Sequence, residues 1–160
     1  MATLAHARLP QRLHVPHPLQ RVLLVEDDDD LRQILVQGME GEGYRVLDIA
    51  DGTTASNILD EDVYDRGDGW ISALVTDLRM PGFSGVELAL SLRQRQCDLP
   101  VVLISGYADG LDDLSAAQRF VVLPKPFTMQ QLLEALQVAE ELVASGAQPR
   151  VDRALPRVLR

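Results

Sequence analysis

A chain of 160 residues with 46% hydrophobic content has enough material for one globular domain with a full core, and too many apolar residues for a disordered class. The formal charge of −9 is unevenly spread: residues 1–20 hold Arg8 and Arg12 and no acid, residues 147–160 hold four arginines against Asp152, and residues 21–146 carry 23 acids and 9 bases, a net of −14 that argues against nucleic-acid binding by the domain. No apolar run approaches the ~20 residues of a membrane span, no signal peptide precedes residue 20, and the single Cys97 excludes an internal disulfide, so a cytoplasmic protein with no membrane contact is expected.

Residues 1–20 contain Pro10, Pro16 and Pro18 with His6, His14 and His17 and no apolar period, which predicts a flexible leader; the histidine spacings fit no metal-binding face. Residues 21–25 (Arg-Val-Leu-Leu-Val) read as a strand buried on both faces, and it empties into five consecutive acids, Glu26 to Asp30. Adjacent negative charges repel, so the run is tolerated where some acids are solvated, some cap a helix and some bind a cation. Asp28 to Asp30 suit the cap of a helix with Leu31, Ile34, Leu35 and Met39 on its buried face, stopped by Gly41 and Gly43. A second strand is predicted from Tyr44 to Ala50 and a short helix from Gly52 to Leu59, with Ala55, Ile58 and Leu59 inward.

Asp60 to Gly69, with five acids, reads as a surface loop. Trp70 to Thr76 is a third strand ending at Asp77, and Met80-Pro81-Gly82 turns the chain behind it. The next helix opens at Ser84 or Gly85 and runs to Arg95 with Val86, Ala89, Leu90 and Arg93 periodic along it. Pro100 to Ile104 forms a fourth strand ending at Ser105-Gly106, a brief helix spans Leu111 to Gln118, and a fifth strand from Phe120 to Leu123 ends at Pro124-Lys125-Pro126. A last helix from Thr128 to Ala144 carries Leu132, Leu136, Ala139 and Val143 inward, and a basic tail follows from 145 to 160.

Strands alternating with helices imply an α/β doubly wound parallel sheet, and ligands in such sheets bind at the carboxyl ends of the strands. That rule selects Glu26 and Asp27 after the first strand, Asp77 after the third, Ser105 after the fourth and Lys125 after the fifth. Lys125 is the only lysine beside 14 arginines, a compact point charge where a guanidinium is the chain's habit. Three carboxylates in one cleft call for a hard divalent cation such as Mg²⁺, while a hydroxyl and an ammonium opposite suit phosphoryl oxygens. Asp77 stands alone after its strand and is the candidate nucleophile; Glu26 and Asp27 stand as a metal-binding pair.

The motifs V-L-L-V-E-D-D, V-T-D-L-R-M-P-G-F-S-G, V-V-L-I-S-G and L-P-K-P-F-T, in this order, resemble the receiver (CheY-like) domain of response regulators over roughly residues 21–144. The resemblance implies a flavodoxin-like sheet with strand order 2-1-3-4-5, Glu26 and Asp27 as the acidic Mg²⁺ pair, and Asp77 as phospho-acceptor. It further implies Ser105 as the hydroxyl that follows the phosphoryl group, Lys125 as its ammonium partner, and the backbone carbonyl of Arg79 as a further metal ligand. A cis Lys125-Pro126 bond is common in that family. The implied partners are a sensor histidine kinase or a histidine phosphotransfer protein, with output through protein–protein contact and no catalytic turnover, since residues 145–160 are too few for a second domain.

Two departures stand out. Glu26 occupies a place where Asp is commoner, and Val122, three residues before the lysine, occupies the place of a Tyr or Phe, leaving that family's aromatic switch without its usual residue. Phe120 and Tyr107 are the candidate substitutes, and neither matches the position; Arg79 and Tyr107, two residues past Asp77 and Ser105, are expected to tune phosphate lifetime. Two other functions compete: a receiver-like binding module that works without phosphorylation, and a Mg²⁺-dependent aspartate-nucleophile phosphatase. The latter would want an acid two residues after the nucleophile, where Arg79 stands.

Overall fold

A computed structural model of the chain describes residues 20–60, 71–95, 99–106 and 118–145. The expected leader up to residue 19, the loop over 61–69, Trp70, Cys97, Tyr107, the brief helix over 111–117 and the tail from 146 lie outside these residues.

Val22 to Val25 form β1 (Arg21–Val25) with no exposed surface, so every side chain on both faces needs a partner, and the chain supplies helices on both sides. The elements follow as α1 (Asp29–Gly41), β2 (Arg45–Ile49), α2 (Gly52–Asp60), β3 (Ala73–Asp77), α3 (Gly85–Arg95), β4 (Val101–Ser105), β5 (Val121–Pro124) and α4 (Met129–Ala144). All the strands are parallel and lie in the order β2-β1-β3-β4-β5, the predicted doubly wound topology.

Alternation along the strands sorts the core into two layers. Val22, Leu24, Val75, Val102 and Ile104 face Leu35 and Met39 of α1 and Leu132, Leu136 and Ala139 of α4. Leu23, Val25, Leu74, Val101, Leu103 and Val122 face Ala55 and Leu59 of α2 and Leu88, Ala89 and Leu92 of α3. The helices are started by their own side chains: Asp28 Oδ1 accepts from the Leu31 amide at 3.0 Å, and Thr128 and Gln131 close a reciprocal capping box on α4.

Several stripes differ from expectation. Ile34 is 63% exposed and points away from the core, because a helix that buries Leu35 and Met39 four residues apart turns its neighbour about 100° aside. In α3 the buried stripe is Leu88, Ala89 and Leu92 with Arg93, while Val86 and Leu90 are only partly covered. Ile58 of α2 is half-buried, and in α4 Ala135 takes the inward place expected of Val143, which is half-buried. Apolar periodicity located each helix; it did not fix its rotation.

Gly85 carries the tightest constraint. A Cβ there would lie 2.0 Å from the carbonyl oxygen of Asp77, so the start of α3 seats directly on the end of β3. Gly41, at the last turn of α1, has nothing within 4 Å of the same construction. Gly85→Ala is therefore expected to destabilise the domain by about 2 kcal/mol in urea unfolding, and Gly41→Ala to leave it unchanged or gain ~0.5 kcal/mol. Equal stability of the two variants would contradict the packing described.

Candidate functional site

Each strand delivers its polar residue to the carboxyl edge with its backbone already fixed. The Glu26 amide donates to Ile49 O at 3.1 Å, which carries β1–β2 pairing one residue past the strand, and the buried Glu26 carboxylate accepts from the Asp28 amide at 3.1 Å through Oε1. Asp77 ends β3 with 6% exposure; its Oδ1 accepts from the Arg79 amide at 2.9 Å, a turn the chain makes because Leu78 N donates to Ile104 O at 2.8 Å. On the neighbouring strand Ser105 is buried, and its carbonyl accepts from the Lys125 amide at 2.8 Å. The Lys125-Pro126 peptide is cis, as the resemblance implied. Lys125 Nζ reaches back across β4 to donate to Asp77 Oδ2 at 2.6 Å and lies 3.7 Å from Glu26 Oε2.

Glu26, Asp27 and Asp77 each present a carboxylate oxygen within 4.8 Å of the others, two of the three residues being buried and Asp27 exposed. One ammonium does not balance them. Glu26 Oε2 is fully buried and has no hydrogen-bond partner, since Lys125 Nζ stands beyond hydrogen-bond reach of it. Burial is the largest influence on this carboxyl; with the nearby Asp77 it outweighs the Asp28 amide and Lys125 and pushes the pKa of Glu26 up to about 7. For Lys125, burial acts to lower the pKa, but the hydrogen bond and charge of Asp77, with the charges of Glu26 and Asp27, leave it raised and the ammonium firmly protonated. An all-oxygen donor set with one dry, unbonded carboxylate oxygen fits a hard cation that takes oxygen ligands, Mg²⁺ among them.

The predicted residues thus converge: Glu26, Asp27, Asp77 and Lys125 meet in one cleft, and Ser105 sits at the adjacent strand end. Arg79 contributes its amide to Asp77, and its side chain is exposed. Asp28 caps α1. Phe120 lies at the opposite, amino end of β5 in the α3 layer, with the Arg93 guanidinium 5.2 Å from its ring centroid, so it does not stand in for the missing switch aromatic. Val122, 7% exposed, packs in the same layer. Arg32 escaped the sequence reading: its guanidinium donates to Glu26 O at 2.8 Å, to Asp48 Oδ2 at 3.2 Å and to Asp29 Oδ1. Its signal in the sequence is slight, a lone base following five acids.

The response regulator receiver domain model matches residues 22–137. The response regulator receiver protein CpdR of Brucella abortus is 34% identical over 121 residues, covering 74% of this chain and 95% of that protein. The sensor kinase CckA of the same organism is 37% identical over 113 residues, which cover 69% of this chain but 11% of that kinase. Among solved structures, the response regulator TrrA of Thermotoga maritima, described as a complex with Mg²⁺-BeF, is 27% identical and superposes with a TM-score of 0.63 over 75% of this chain and 98% of that one. No helix among the described residues is long and apolar enough to cross a membrane.

A carboxyl that titrates near 7 when folded and near 4.5 when unfolded holds its proton more tightly in the fold. Its contribution to stability is full below 4.5 and is lost as pH rises through 7. Metal-free protein should accordingly lose on the order of 3 kcal/mol across this window in urea unfolding. Asp51 and Glu87, whose pKa values are lowered by backbone and side-chain hydrogen bonds from Thr54 and Ser84, act in the opposite sense but below the window. Glu26→Gln should flatten the decline; a slope unchanged in that variant would assign it elsewhere.

Proposed function

From the premise that the chain belongs to the response regulator receiver domain family, we propose that Asp77 accepts a phosphoryl group from a phosphohistidine of a sensor histidine kinase or a histidine phosphotransfer protein. The observation that carries the reading is the clamp on Asp77: Lys125 Nζ on Oδ2 at 2.6 Å, the Arg79 amide on Oδ1 at 2.9 Å, and the Glu26 and Asp27 carboxylates alongside. A carboxylate held this way is oriented for in-line attack, and a carboxylate oxygen acts as nucleophile without a general base.

A carboxylate oxygen of Asp77 forms a bond to phosphorus as the phosphorus–nitrogen bond of the donor breaks, and the electron pair stays with the departing imidazole, which takes up a proton. The product is an acyl phosphate, and water later returns it to carboxylate and phosphate. Lys125 begins on Asp77 Oδ2 and is placed to follow the new charge onto the phosphoryl oxygens, with the Ser105 hydroxyl as a second donor. Mg²⁺ held by Glu26, Asp27, Asp77 and the backbone carbonyl of Arg79 would supply positive charge against those same oxygens. Forming the mixed anhydride moves the negative charge from the Asp77 carboxylate out onto the phosphoryl oxygens and calls Lys125 and the 77–79 turn to new partners, which is a population shift between two arrangements of this edge. The reading is of a signalling domain in the cytoplasm that acts through altered protein–protein contact. The strongly acidic residues 21–146 make nucleic acid an unsuitable direct target.

Incubation with acetyl phosphate and Mg²⁺, followed by intact mass, tests the reading. Wild type should gain the mass of one phosphoryl group, while Asp77→Ala, or wild type with the metal chelated, should gain none. Steady phosphate release over many turnovers would favour a phosphatase, and an unchanged mass would favour a binding module that works without phosphorylation.

A further inference from the structure

Arg32 has no part in the chemistry described so far, yet its guanidinium ties together three elements at the edge where the acids gather. It donates to the carbonyl oxygen of Glu26 at the exit of β1, to Asp48 on β2, and to Asp29 in the first turn of α1. The two ion pairs are too exposed to explain why the side chain is held: Asp29 and Asp48 are 75% and 48% exposed, and pairs of that kind contribute little. The arginine itself is only 14% exposed, laid down against the backbone of the residue whose carboxylate is the dry one.

We propose that Arg32 is a positioning residue for the divalent-cation site, holding the Glu26 main chain so that Oε2 stays aimed into the cleft. The proposal rests on the metal reading given above. Glu26 has one more rotatable bond than an aspartate would, so its reach is set by how firmly its backbone and its other oxygen are held. The amide is pinned by Ile49 O, Oε1 by the Asp28 amide, and the carbonyl by Arg32, leaving Oε2 as the one oxygen of Glu26 without a hydrogen bond. Three acceptors on three elements, reached by Nε, Nη1 and Nη2 at once, require a planar fork; an ammonium on a flexible stem serves one of them at a time.

Positioning and simple charge balance predict opposite signs. Were Arg32 only a counter-charge to the acid run, removing it would tighten binding of a divalent cation, because one positive charge near the site would be gone. As a positioning residue, its removal loosens binding despite the charge change, by roughly 10- to 100-fold for an outer-shell partner of a metal ligand.

The test is calorimetric titration of Mg²⁺ into the whole chain as wild type, Arg32→Gln and Arg32→Lys, with amide hydrogen exchange of the same proteins in chelator. Both variants are expected to bind Mg²⁺ roughly 10- to 100-fold more weakly and to exchange the Glu26 and Asp28 amides faster, with protection in α4 unchanged. Tighter or unaltered binding in Arg32→Gln, or wild-type affinity in Arg32→Lys, overturns the proposal. Should Arg32→Gln fold poorly, judged by loss of α4 protection, the charge-preserving Arg32→Lys decides alone. Wild type that binds no Mg²⁺ overturns the metal reading itself, and this inference with it.

Discussion

Glu26, Asp27 and Asp77 bring carboxylate oxygens within 4.8 Å of one another at the carboxyl edge of the sheet, and a single ammonium, that of Lys125, reaches them. In a folded interior such crowding is costly, and its signature is visible in Glu26, whose buried Oε2 has no hydrogen bond and whose pKa is pushed up to about 7 chiefly by burial. The free protein carries this strain because the backbone leaves it no alternative. Glu26 follows directly on β1 and Asp77 is the last residue of β3, so the backbone of each is held by the sheet.

The rest of the fold maintains that edge. Pairing of β1 with β2 extends to the Glu26 amide, β3 pairs with β4 through Asp77 and Ile104, and the Lys125 amide is bonded to Ser105 O. Gly85 lets α3 start against the Asp77 carbonyl, so the Asp77 backbone is enclosed by sheet on one side and by helix on the other. A charge change at Asp77 would act first on the 77–79 turn and on Lys125, which both hydrogen-bond to its carboxylate. With Val122 packed in the core and Phe120 at the far end of β5, no aromatic among the described residues of β5 is placed to follow it.

Much of this was legible in the amino-acid sequence, for a physical reason. Parallel strands buried on both faces are continuous apolar runs, and a polar residue at the end of such a run has nowhere to go but the ligand-binding edge. Val-Leu-Leu-Val before Glu26 and Val-Val-Leu-Ile before Ser105 announced both strand and site in this way. Helix rotation was less legible. Ile34 and Leu35 are equally apolar, and only the approach of α1 to the sheet and to α4 decides that Leu35 is buried and Ile34 is exposed. Arg32 was invisible for a different reason: its role depends on a backbone carbonyl and on Asp48, sixteen residues away on another strand, and neither leaves a mark at short range in the sequence.

The central claim is that the side chain at position 77, and no other, becomes the acyl phosphate. Borohydride reduction of phosphorylated protein converts an aspartyl phosphate to homoserine, and peptide mapping by mass spectrometry then reads its position. The account predicts homoserine in the peptide containing Asp77 alone. Homoserine at Asp27, reduction of Glu26, a label that resists borohydride, or a label carried by a histidine would contradict it.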